Sequence, residues 1–201
     1  ALGYWAGVSS AASSRPLVRS FSPAPSSPAP SSSASTAPPS KAPRSGRGSA
    51  SGPAGGAVPD GETVFDDEFP AVAKLDPALL EALRRAAADA AGDGVQFHVN
   101  SGWRSSEYQA RLLREAIAKY GSEEEAARWV ATPDTSPHVS GDAVDIGPSD
   151  AAAWLSRHGA RYGLCQIYKN EPWHYELRAG AVERGCPSMY ADPTQDPRMR
   201  Q

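Results

Sequence analysis

Residues 95–109 read Val95-Gln-Phe-His-Val-Asn-Ser-Gly-Trp-Arg-Ser-Ser-Glu-Tyr-Gln109, and the apolar period changes within them. Val95, Phe97 and Val99 alternate with polar residues, the pattern of a half-buried strand, and Ser101-Gly102 breaks it. Ser105 then offers a cap for a helix through about Tyr120, because Tyr108, Leu112, Leu113 and Ile117 recur at helical spacing before Gly121. Arg104 therefore sits on a strand-to-helix junction, where side chains face a cleft. His98, flanked by Phe97 and Val99, is expected at solvent or on the polar side of the sheet and not as a ligand.

Working outward, Asp76-Pro77 places a capping carboxylate and an N1 proline ahead of an Ala/Leu-rich run, so a helix is predicted over about 77–91. Ser122 with Glu125 forms a capping box for a shorter helix to about Val130. Ser149 is expected to cap a fourth helix closing at His158-Gly159, with His158 beside the last carbonyls. Between the helices lie three strand-like runs: Ala143–Gly147, Leu164–Tyr168 and Trp173–Leu177. Short strands interspersed with helices predict an α+β domain, a small and mostly antiparallel sheet with flanking helices.

Residues 1–60 are different in kind. They are rich in Ala, Ser, Pro and Gly with almost no apolar period, so they cannot bury enough surface to offset the entropy of ordering and are predicted to be a disordered linker. Residues 61–201 are the size of one domain. The linker carries Arg15, Arg19, Lys41, Arg44 and Arg47 against Asp60, or +4, so the remainder carries −7 to reach the total of −3. An acidic domain argues against nucleic acid as a partner. No apolar run is long enough to span a bilayer. The small-residue opening, Ala1-Leu-Gly-Tyr-Trp-Ala-Gly, is compatible with the remainder of a removed export signal. Cys165 and Cys186 are the only two cysteines, which fits either one disulfide in an exported protein or two buried free thiols.

Two segments carry the chemistry. Ser136-Pro-His-Val-Ser-Gly-Asp-Ala-Val-Asp145 and Glu171-Pro-Trp-His174 together offer two imidazoles and two carboxylates, which are ligands that zinc accepts. A catalytic zinc needs three protein ligands and one open position, so His138, Asp145 and His174 are predicted to hold one zinc and to leave Glu171 free as a general base. Pro172 holds Glu171 off both helix and sheet, in a turn from which it reaches the site three residues before His174. Arg104 is the cation available for a developing oxyanion or a substrate carboxylate. Taken singly, Asp145 is equally a partner for an arginine, Glu171 an ordinary loop carboxylate, and Trp173 a core residue.

Together, Ser136-x-His138-x-x-Gly141-x-Ala143-x-Asp145, Glu171-x-Trp173-His174 and Ser101-Gly-Trp-Arg-Ser-Ser-Glu-Tyr-Gln109 resemble the three motifs of the VanY-type D-alanyl-D-alanine carboxypeptidases, in order. The resemblance covers roughly residues 62–195. It implies the fold shared with hedgehog domains and D,D-peptidases, zinc on His138, Asp145 and His174, Glu171 as base, and substrate contacts from Arg104, Gln109 and Ser136. Trp173 is placed with them as a substrate wall. The implied reaction is zinc-dependent release of D-alanine from peptidoglycan stem peptides ending in D-Ala-D-Ala, by a secreted or cell-wall-associated monomer. Rival readings on the same scaffold are a D,D-dipeptidase, a wall endopeptidase, or a binding module that keeps zinc without catalysis.

Overall fold

The computed structural model describes residues 52–200. The expected linker lies outside the described residues up to residue 51. Its last part makes a short 3-10 turn, Pro53–Gly55, whose Gly55 carbonyl accepts from the Ser105 amide.

Helix α1 spans Pro70–Ala73 and α2 spans Pro77–Gly92. The Asp76 side chain accepts from the Ala78 and Leu79 amides and so starts α2, as its sequence predicts. Strand β1 is His98–Ser101, and α3 is Ser106–Tyr120, capped by Ser105 and ended by Gly121 with a left-handed backbone. Helix α4 is only Glu123–Ala126. The chain then leaves the helix as a turn, because Trp129 stacks on Tyr120 at 5.9 Å and Gln109 draws the Ala131 carbonyl inward. After α5 (Pro137–Ser140) come β2 (Ala143–Gly147), α6 (Ser149–His158), β3 (Leu164–Gln166), β4 (His174–Leu177) and α7 (Ala181–Arg184).

Two local expectations change. Pro148, not Ser149, occupies the N-cap of α6 and gives no side-chain cap, so Ser149 is its first helical residue. The His158 ring packs against Trp154, with ring centroids 4.7 Å apart, instead of turning to the helix-end carbonyls.

The four strands form one antiparallel sheet in the order β1-β2-β4-β3. Period two divides its residues between two faces. Val144, Ile146, Tyr175 and Leu164 point into the core with Leu79 and Leu83 of α2 and Trp154 and Leu155 of α6. Asp145, His174 and Glu176 alternate with them and are thus on the opposite face. In the β2–β4 ladder Asp145 pairs with His174, and Ala143 pairs with Glu176. A disulfide joins Cys165 of β3 to Cys186, which settles the open reading of the two cysteines. No helix among the described residues is long and apolar enough to cross a membrane.

Candidate active site

The site stands on the face of the sheet turned away from α2 and α6. Direct opposition across the β2–β4 ladder brings the Asp145 and His174 side chains together. His138 comes from α5, a single turn closed by Gly141 at φ 85°. A side chain at Gly141 would meet the Lys74 carbonyl at 2.5 Å, so glycine both ends the turn and lets it lie against the end of α1. Gly102 is fixed in the same way, since a Cβ there would lie 2.1 Å from the Ala71 carbonyl oxygen.

Asp145 is the hub. Its Oδ1 lies 3.2 Å from His174 Nδ1 and 3.4 Å from His138 Nε2, and its Oδ2 accepts from Arg104 Nη2 at 3.1 Å. Asp145 thus pairs with an arginine through one oxygen while the other faces both imidazoles. Arg104 is also held by Ser101 Oγ at 2.7 Å and by Gln109 Oε1 at 3.0 Å, while Gln109 Nε2 donates to the Ala131 carbonyl. Glu171 sits in the expected turn, its carbonyl accepting from the His174 amide, and its Oε2 is 3.7 Å from His174 Nδ1.

The far ring nitrogens decide whether this donor set suits zinc. His138 Nδ1 is 2.9 Å from the Gly102 carbonyl, which can only accept, so Nδ1 carries the proton and Nε2 faces Asp145. His174 Nε2 is 3.3 Å from Glu176 Oε1, also an acceptor, which leaves Nδ1 facing the same point. One ligand atom each from His138, Asp145 and His174 lies within 4.8 Å of the others. Two imidazoles, each anchored through its other nitrogen, with one carboxylate, fit a zinc ion.

The charges are tuned by this packing. Burial pushes Glu171 up to about 7, and the Asp145 carboxylate adds to it. Burial, then Arg104, lowers His138. For His174 burial works downward but is outweighed by hydrogen bonds to Asp145 and Glu176, which raise it to about 9. For Asp145 burial works upward and is overcome by the His138 and His174 rings, so it is held well below the usual carboxylate range.

A cavity of about 270 Å³ opens over the group and is lined by Arg104, Gln109, Ser136, Glu171 and Trp173, among others. Ser136 Oγ is buried and has no hydrogen-bond partner among the described residues. Trp173 is 38% exposed, a wall of the cavity and not a core residue. His98 lies on β1, outside this cluster. A larger cavity of about 810 Å³ beside the disulfide contains none of these residues.

Sequence reasoning passes over Glu176, Trp129, Tyr168 and Arg198. Glu176 had a signal: it lies two residues after His174 in a strand and so shares its face. Trp129, Tyr168 and Arg198 had none, since tertiary packing alone brings them to the site.

A curated relative from Enterococcus faecalis, a D-alanyl-D-alanine carboxypeptidase, is 34% identical over 111 residues, covering 43% of this chain and 41% of that enzyme. The match thus spans less than half of that relative's length. A mutant of the vancomycin resistance D,D-pentapeptidase VanY in complex with Zn(II) is 29% identical, with a TM-score of 0.51 over 55% of this chain and 75% of that one. VanYB in complex with D-Alanine-D-Alanine is similar to the same degree, 29% identical at a TM-score of 0.51, over 55% of this chain and 74% of that one. The LdcB LD-carboxypeptidase, 24% identical at a TM-score of 0.51 over 64% of this chain and 71% of that one, shares the fold. Residues 72–179 match the family model VanY, D-alanyl-D-alanine carboxypeptidase, and with that match over half of its length the chain belongs to the VanY family.

Proposed function

We propose that this chain is a zinc-dependent D,D-carboxypeptidase that removes the terminal D-alanine from peptidoglycan stem peptides. The observation that carries the reading is the pair of imidazoles aimed at Asp145 by the Gly102 carbonyl and Glu176, with Glu171 beside them and outside the trio. Zinc, when bound by His138, Asp145 and His174, supplies a Lewis acid for the scissile carbonyl and for the attacking water.

The chain's own residues do the rest. Glu171, pushed up to about 7, is matched to taking the proton of the water that adds to the carbonyl carbon. The same carboxyl returns that proton to the amine nitrogen as the C–N bond breaks and D-alanine leaves. Arg104, held on three sides, presents a fixed guanidinium to the substrate's terminal carboxylate or to the developing oxyanion. Gln109 keeps Arg104 in place at the cavity wall, the buried Ser136 Oγ offers the peptide a hydrogen bond, and Trp173 bounds the substrate.

The disulfide and a cell-wall substrate favour action outside the cytoplasm, with residues 1–60 as a spacer ahead of a catalytic domain over 61–201. The test is release of free D-alanine from a pentapeptide and from the D-Ala-D-Ala dipeptide, with and without chelator. Chelator-sensitive release from the pentapeptide is expected. Release from the dipeptide alone would make the chain a dipeptidase, and no release from either would sink the peptidase reading.

A further inference from the structure

Glu176 has no exposed surface and does not line the cavity over the site, yet four nitrogen atoms from three side chains converge on it. His174 Nε2 meets its Oε1 at 3.3 Å, and Arg178 Nη2 donates to its Oε2 at 2.6 Å. Arg198 spans both oxygens, Nη1 to Oε2 at 2.7 Å and Nη2 to Oε1 at 3.1 Å. Arg198 is therefore the residue that fixes the plane of the carboxylate, and it alone of the two arginines touches the oxygen that meets His174.

Arg198 is itself fixed. Its Nε donates to both oxygens of Asp196, at 3.1 and 3.0 Å, and Asp196 also accepts from the Tyr168 hydroxyl at 3.0 Å. The Tyr168 ring lies 5.1 Å from the His174 ring, so the contacts run from His174 through Glu176, Arg198, Asp196 and Tyr168 back to His174. Asp196 and Arg198 lie beyond residues 72–179, the part that matches the family model.

We propose that Arg198 is a positioning residue for the metal site: by gripping both oxygens of Glu176 it aims His174 Nδ1 at the cation. The proposal rests on the zinc reading above. A planar fork suits this task because two parallel bonds set an orientation, which a point charge cannot do.

The test is zinc titration of the metal-free protein against a competing chelator for wild type, R198A, R198K, E176Q and the double variant E176Q/R198A. Circular dichroism and thermal unfolding of each metal-free protein report the fold. R198A is expected to keep its fold and bind zinc about 10- to 100-fold more weakly, the usual effect of losing a group that supports a ligand. R198K should recover only part of that loss, and it carries the test if R198A does not fold. E176Q/R198A should be little worse than E176Q alone, because the two act in series. Wild-type affinity in R198A and R198K, or losses that add in full in the double variant, would overturn the proposal. A wild-type protein that takes up no zinc would instead remove the metal reading beneath it.

Discussion

At the residue scale, Glu171 and His174 share one neighbourhood and have different tasks. Glu171→Gln keeps the shape and removes the base, so D-alanine release should fall by roughly 10²–10⁴-fold or more while zinc stays bound. Near-normal turnover with zinc in place would rule Glu171 out as the base. His174 bears a proton below about 9, and that proton occupies the nitrogen that faces Asp145. Metal and proton therefore compete for Nδ1. The sign follows directly: below about pH 9 zinc uptake must release this proton, so affinity should weaken about tenfold for each unit the pH falls. Calorimetry in buffers of different ionisation enthalpy would count the released proton, and a pH-independent affinity between 7 and 8 would contradict the assignment.

At the element scale, the sequence signals worked where a local rule and the tertiary structure agreed. Asp76-Pro77 opens α2, and Ser105 and Gly121 bound α3, because caps satisfy backbone groups within a few residues of themselves. That His138, Asp145 and His174 come together was legible because all three are zinc donor types set beside turns and strand ends. The early end of α4 was not legible, since Trp129 stacking on Tyr120 is a contact between elements. Nor was the support behind His174, because Arg198 reaches it only through the folded chain. Gly102 links the two levels: its carbonyl orients His138 while its missing side chain admits the Ala71 carbonyl. Gly102→Ala should force α1 away from the end of β1, cost about 1–3 kcal/mol as overpacking does, and weaken zinc binding together with stability. Thermal unfolding and zinc titration of that variant would check both, and intact zinc affinity would show that the carbonyl's aim does not matter.

At the scale of the whole molecule, the Cys165–Cys186 bridge closes a loop at a sequence separation of 21 and anchors the chain that continues to Arg198. Opening it should cost roughly 3 kcal/mol in the chain-entropy account. For a domain of this size that corresponds to a fall in Tm of about 6–12 °C, measurable by unfolding with and without reductant. An unchanged Tm with both thiols alkylated would show that the bridge contributes nothing. The pairing of β2 with β4 has its own consequence. A slip of one residue along that ladder would turn either Asp145 or His174 into the core and separate the ligands. Metal retention is thus a checksum on strand pairing: in a refolding mixture, the ratio of tightly held zinc to protein counts the molecules whose strands found their proper partners.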